Sequence, residues 1–176
     1  IDQARSPAQL LAHLDQAIIP YTHTGGQNCT FCYVELTPSD NGAGWHLDAV
    51  NAGCPYPLIR RRDGTVEWIE IGGFPLGTGL GAKEGYLQAD QILQSGDLII
   101  LTSDGVVEAM NGDRELFGFE RLAQSVALAP TDNAEAMVSH LQEQVDAFTG
   151  YAEPHDDLTI VVLQLHSESL ADETGP

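Results

Sequence analysis

Cationic side chains are scarce in this chain. Lys and Arg make up 7 of its 176 residues, with Lys83 the sole lysine, against 26 Asp and Glu, for a formal net charge of −19. Nucleic-acid phosphates require neutralisation by Lys and Arg, so this balance argues against a nucleic-acid partner. An anionic membrane surface is disfavoured for the same reason. A surplus of carboxylates suits divalent cations or a basic protein partner, although its commonest cause is solubility. No apolar run reaches the length of a transmembrane helix, and no membrane insertion is expected. Cysteine is also sparse: three residues without framework spacing favour a reducing, cytoplasmic setting over a disulfide scaffold. There is no initiator Met, and Ile1-Asp2-Gln3-Ala4-Arg5 does not resemble a signal peptide. The chain therefore reads as a domain or processed fragment.

What is present fits one globular domain over residues 1–166, followed by a polar, frayed tail over 167–176. Ser6-Pro7 is an N-cap and first-turn pair, and Leu10, Leu11, Leu14, Ala17 and Ile18 share a face, which predicts a helix over 7–19. Strands are predicted from Cys29 to Leu36 and from Trp45 to Asn51, joined through Asn41-Gly42. Pro57 to Arg61 and Val66 to Ile71 form a hairpin turned at Asp63-Gly64. Gly72 to Gly85 reads as a flexible glycine-rich loop lining a substrate groove, without the helix that a phosphate cradle needs. Further strands are predicted at Gln88 to Leu93, Asp97 to Thr102 and Ile160 to Leu165. Helices are predicted at Val106 to Met110, Phe119 to Leu128 and Asp132 to Phe148, the last opened by an Asp132/Glu135 capping box and stopped by Gly150. Hairpin-linked strands with segregated helices imply an α+β fold with mostly antiparallel sheets.

The chemistry concentrates in two acidic turns. Leu101-Thr102-Ser103-Asp104-Gly105 follows a strongly apolar strand, and His155-Asp156-Asp157-Leu158-Thr159 precedes another. A carboxylate at the tip of a buried strand is poorly solvated and held still, which suits a hard divalent cation. Two such tips can converge although far apart in sequence. The residues alone fit this metal site and a pair of structural turns equally well. His155 adjoins the pair and is as readily a solvated loop residue. Cys29-Thr30-Phe31-Cys32 has redox or zinc spacing, but positions three apart on a strand face opposite ways, which favours buried core cysteines. Ser103 lies outside any nucleophile elbow.

Five ordered segments carry a family resemblance. Asn51-Ala52-Gly53-Cys54-Pro55-Tyr56-Pro57-Leu58 resembles the N-A-G-H-x-P-x-L of SpoIIE/RsbU-type bacterial phosphatases of the PP2C-like (PPM) superfamily. Gly73-Phe74-Pro75-Leu76-Gly77 resembles their G-x-P-L-G, and Leu101 to Ala109 their L-Y-T-D-G-V-x-E-A. Phe117-Gly118 with Leu122, and then Asp156-Asp157-Leu158-Thr159, resemble the two closing motifs. The resemblance implies an αββα sandwich and a metal-dependent protein serine/threonine phosphatase binding two Mg²⁺ or Mn²⁺ ions. It places metal ligands at Asp104, Gly105 and Asp156, with Asp157 an outer ligand or orienting Asp156. Asn51 and Gly53 would shape a turn. The implied partners are a phosphoprotein substrate, such as an anti-anti-sigma-factor-like protein, and an upstream sensor or regulatory domain.

The chain departs from the family pattern in two places. Cys54 stands where the family has His, and the metal motifs G-D-x-Y/F-D and D-V-x-G-H-G have no match. Their Asp bridges the two metals, so the chain by itself is expected to bind metal weakly and to be inactive or nearly so. The rival class is a degenerate, non-catalytic domain of the same family used for binding or signalling. A haloacid-dehalogenase phosphatase would need an early D-x-D, and a receiver domain would need an early acidic pair and a late Lys. Neither pattern is present.

Overall fold

The computed structural model describes residues 6–22, 25–39, 44–129, 133–152 and 156–166. In chain order the elements are α1 (Pro7–Thr22), β1 (Phe31–Pro38), β2 (Trp45–Ala52), β3 (Leu58–Arg60), β4 (Val66–Trp68), α2 (Leu80–Glu84), β5 (Gln88–Leu93), β6 (Leu98–Thr102), α3 (Asp104–Val107), α4 (Gly118–Leu128), α5 (Ala134–Thr149) and β7 (Ile160–Gln164). They build two antiparallel sheets, one ordered β1-β2-β5 and the other β4-β3-β6-β7.

Period-two alternation decides what each strand faces. In β6, Ile99 packs with Leu47, Ala49, Ile59 and Leu93 between the sheets. Its neighbours Leu98 and Ile100 point the other way, into a cluster with Leu122 and Val126 of α4 and Met137, Leu141 and Val145 of α5. In β2, Leu47 and Ala49 join the layer between the sheets, while Val50 and Ala52 meet Leu11 of α1, Leu76 and Tyr86. The result is the expected α+β sandwich, with α1 outside one sheet and α4 and α5 outside the other.

Several boundaries differ from the sequence expectation. Helix α1 continues through Pro20 to Thr22, whose hydroxyl donates to the carbonyls of Ile18 at 3.3 Å, Ile19 at 3.2 Å and Gly77 at 2.9 Å. Strand β1 begins at Phe31; Cys29 instead exchanges two backbone hydrogen bonds with Leu76, at 3.0 and 2.8 Å. The glycine-rich stretch is not a loop throughout, since it contains α2. The N-cap of α5 is Asn133, whose side chain accepts from the Ala136 N–H at 2.8 Å. Asp132, Asn41-Gly42, His155 and residues 167–176 lie outside the described residues.

A buried carboxylate explains why the glycine-rich stretch is ordered. Asp15 of α1 has no solvent exposure and accepts N–H bonds from Gly77 at 2.7 Å, Gly79 at 3.1 Å and Ala82 at 2.8 Å. One side chain thereby fixes the backbone entering α2. Burial first, and then the Asp15 carboxylate, push the Tyr86 phenol up to about 12. Its hydroxyl donates to the Phe74 carbonyl at 3.0 Å. At the opposite end, nearly buried Asp97 accepts from Arg61 at 3.1 Å and from the backbone N–H groups of Arg62 and Gln94, each at 3.0 Å.

Replacing Asp15 by Ala strands buried donors, each of which costs roughly 1–3 kcal/mol when left unpaired. The Asp15→Ala chain is expected to lose about 3 kcal/mol, lowering Tm by roughly 10 °C in a chain of this size. A thermal melt within 2 °C of the wild type would show, to about 1 kcal/mol, that this anchor is dispensable.

Candidate metal-binding end

The antiparallel pairing of β6 with β7 sets Thr102 opposite Ile160, so the chain leaving one strand lies beside the chain entering the other. Ser103 extends this pairing beyond the strands. Its N–H donates to the Thr159 carbonyl at 3.0 Å, its hydroxyl donates to the Asp157 carbonyl at 3.1 Å, and the same hydroxyl accepts from the Thr159 N–H at 3.0 Å. Ser103 is thus a three-bond clip between the acidic turns. Sequence reading considered it only as a nucleophile and missed this role, for which a hydroxyl immediately before Asp-Gly was the available signal.

Gly105 closes the junction. A Cβ there would run into the carbonyl oxygen of Asp157 and would lie 3.5 Å from Cβ of Asp156. The two turns are therefore in direct contact, and only glycine permits the approach. Asp104 opens α3 and accepts from the Gly105 N–H at 3.0 Å; Asp156 accepts from the Asp157 N–H at 2.8 Å. The four expected residues, Asp104, Gly105, Asp156 and Asp157, thus lie at one end of the sandwich.

Their environment differs from the expectation in one respect. The carboxylates of Asp104, Asp156 and Asp157 are exposed, not poorly solvated, because the turns project beyond the strand ends. Among the described residues, no group of three or more His, Cys, Asp or Glu side chains is arranged to hold a metal ion. The hard oxygen donors match Mg²⁺ or Mn²⁺ in kind, but too few converge to complete a coordination shell.

The other motif segments pack around this end. Asn51 is fully buried: its amide donates to the carbonyls of Cys54 at 2.8 Å and Ile71 at 3.0 Å and accepts from the Cys54 N–H at 2.9 Å. Gly53, at φ 87°, abuts Pro75, where a Cβ would approach the ring to 2.7 Å. Asn51 and Gly53 therefore shape the turn, as the motif implied. Phe117 and Leu122 are buried, the former edge-on to Phe148 at 5.5 Å. A cavity of about 300 Å³ opens beside Gly105 and Asp156, walled by Met110, Leu116, Val145 and Leu158.

Cys29 and Cys32 do not sit in the core as expected. Cys29 is exposed, and Cys32 and Cys54 are half-buried, because β1 starts after Cys29 and the Asn51 turn carries Cys54 out of the ladder.

A methyl group at position 105 must push the Asp156-Asp157 turn away. Gly105→Ala is expected to destabilise the chain by about 1–3 kcal/mol, the usual cost of overpacking. Ser103→Ala removes the hydroxyl's two bonds and should cost about 1–2 kcal/mol. A Gly105→Ala chain as stable as the wild type in urea unfolding would show that the two turns do not press on each other.

Comparison with known proteins bears on the family and the fold. The family described as Stage II sporulation protein E (SpoIIE) matches residues 1–166. Phosphoserine phosphatase RsbU of Bacillus subtilis (strain 168) is 31% identical over 106 residues, covering 59% of this chain and 30% of RsbU. The chain thus spans less than a third of that relative's length. The SiaA-PP2C domain of Pseudomonas aeruginosa superposes with a TM-score of 0.68 at 20% identity, over 92% of this chain and 61% of that one. The catalytic domain of the serine threonine protein phosphatase PstP, in complex with 2 manganese ions, gives 0.60 at 16% identity, over 94% of this chain and 75% of that one. Matched along nearly its whole length and sharing the sandwich of PP2C-type phosphatase domains, the chain belongs to the SpoIIE family.

Proposed function

We propose that residues 1–166 are the C-terminal major part of a metal-dependent protein serine/threonine phosphatase domain, with Asp104 and Asp156 as this segment's metal ligands. The observation that carries the reading is the contact of Gly105 with the Asp156-Asp157 turn, which brings two sequence-distant carboxylates to one end of the sandwich. Asp104 and Asp156 would hold Mg²⁺ or Mn²⁺, the Gly105 carbonyl would be a further donor, and Asp157 would orient its neighbour. Such ions acidify water and neutralise phosphoryl oxygens when bound. The chain's own contribution is placement: the Ser103 clip holds the turns together, and the adjoining cavity offers apolar walls to residues flanking a phosphoserine.

The residues needed to complete the shell are not among those described. The chain alone is therefore expected to be nearly inactive, and to work when preceded by a segment carrying the missing acidic motifs. The substrate proposed from the RsbU relationship is a cytoplasmic phosphoprotein, an anti-anti-sigma-factor-like protein being the leading candidate. A second reading, a non-catalytic domain used for binding, is favoured by the absence of a three-donor metal group among the described residues.

Mn²⁺-dependent hydrolysis of an aryl phosphate separates the two readings. The chain alone should show at most trace activity, and a longer polypeptide carrying the missing motifs should be active. In that polypeptide Asp104→Asn should abolish turnover, and Asp157→Asn should weaken Mn²⁺ binding roughly 10–100-fold. An inactive longer polypeptide would favour the binding domain. An active one indifferent to Asp104→Asn would remove Asp104 from the site.

A further inference from the structure

The three thiols of the chain lie at one end of the sandwich, where Cys54 is within electrostatic reach of both Cys29 and Cys32. Cys32 stands opposite Asn51 in the β1–β2 ladder, so the two side chains emerge on one face of the sheet. The Asn51 amide bends over that face and grips the backbone of Cys54 from both sides, accepting from its N–H at 2.9 Å and donating to its carbonyl at 2.8 Å. Thr30, two residues before Cys32, hydrogen-bonds the Cys54 thiol through its side chain. Thr30 lies just outside β1, whereas Cys32, Val34 and Leu36 alternate along it, the latter two facing the layer between the sheets. Cys32 and Cys54 are thus both neighbours of Asn51, and their thiols lie close enough for their charges to interact.

We propose that Cys32 and Cys54 form a reversible intramolecular disulfide under oxidising conditions, a redox modification site beside the acidic turns. The co-reactant is a small disulfide such as oxidised glutathione. The Cys54 thiolate attacks one glutathione sulfur, breaking the S–S bond and expelling a glutathione thiolate, which takes up the proton Cys54 released. The Cys32 thiolate then attacks the Cys54 sulfur of the mixed disulfide and expels the second glutathione in the same way. Two protein thiols are oxidised, and one glutathione disulfide is reduced to two glutathione molecules.

The electrostatics at the pair fit a slow switch. Burial, and then the charge of Cys54, push the Cys32 thiol up to about 12. Burial also raises Cys54, with the Asp104 carboxylate and Cys29 adding to it, while the Thr30 hydrogen bond works the other way. Thiols kept protonated near neutrality attack slowly, and without a stabilised thiolate the reduced form gains nothing over the disulfide. In a reducing cytoplasm the pair stays open, and it closes when the glutathione pool is oxidised. None of this depends on phosphatase activity.

The test uses the full chain carrying Cys29→Ser, a substitution at an exposed position that leaves two thiols. Incubation with oxidised glutathione is followed by thiol counting in denaturant, intact-mass measurement and peptide mapping. The expected result is no free thiol, no retained glutathione, loss of two hydrogens and a peptide linking Cys32 to Cys54. A Cys29→Ser/Cys32→Ser chain should instead keep one glutathione on Cys54. Two persisting thiols, stable glutathione adducts in the Cys29→Ser chain, or a link formed only between chains would overturn the proposal. A failed phosphatase assay would leave it untouched.

Discussion

The acidic end of this domain depends on the pairing of β6 with β7. Both strands are held from behind by the helical layer, where Leu98, Ile100 and Val162 meet α4 and α5, and Ile99 and Leu163 face the other sheet. Apolar packing fixes the strands, backbone hydrogen bonding fixes their register, and the register brings the turn after one strand to the turn before the other. Ser103 and Gly105 complete the junction: the hydroxyl draws the turns together, and the missing side chain lets them touch. The carboxylates are passengers on this frame. Their exposure fits the same account, because the frame ends before they begin.

A second set of polar ties positions the opposite sheet. Asn51 and Asp15 are fully buried, and the side chain of each makes several hydrogen bonds to backbone groups of other segments. Asn51 closes the turn after β2 and holds Ile71; Asp15 holds the approach to α2. Between them, Gly53 rests on Pro75 and Leu76 pairs with Cys29, so the Asn-Ala-Gly segment and the Gly-Phe-Pro-Leu-Gly segment form one knot. Segments that read in sequence as separate motifs are thus parts of one supporting structure.

Much of the fold was legible because its main signals are periodic. The alternation in β6, the spacing of Met137, Leu141 and Val145, and the Asp63-Gly64 turn each specify an element locally. The convergence of the acidic turns was also readable, since each abuts a strongly apolar strand. What escaped depends on contacts between distant segments. Helix α2 is too short and glycine-rich to carry a pattern, and it is fixed by a carboxylate on α1. The apolar face of α1 ends near Ile18, but the helix runs on to Thr22, which bonds to Gly77 in a segment the local pattern cannot see. Cys29 and Cys32 were misplaced because Cys29 pairs with Leu76 instead of continuing β1, a choice made by the knot.

The pairing of β6 with β7 also bears on how the domain folds. These neighbouring strands are separated in sequence by α3, α4 and α5, so their ladder closes a long loop whose entropy must be met before any of its hydrogen bonds form. The α4–α5 pair, made of local contacts, can form early, while the strands it supports come together late. The acidic turns are adjacent only after that final step. In the unfolded or half-folded chain the carboxylates are scattered, so a cation has little with which to trap an intermediate. Any ion this end helps to bind acts as a late clamp on the finished sandwich, slowing its opening more than it speeds its assembly.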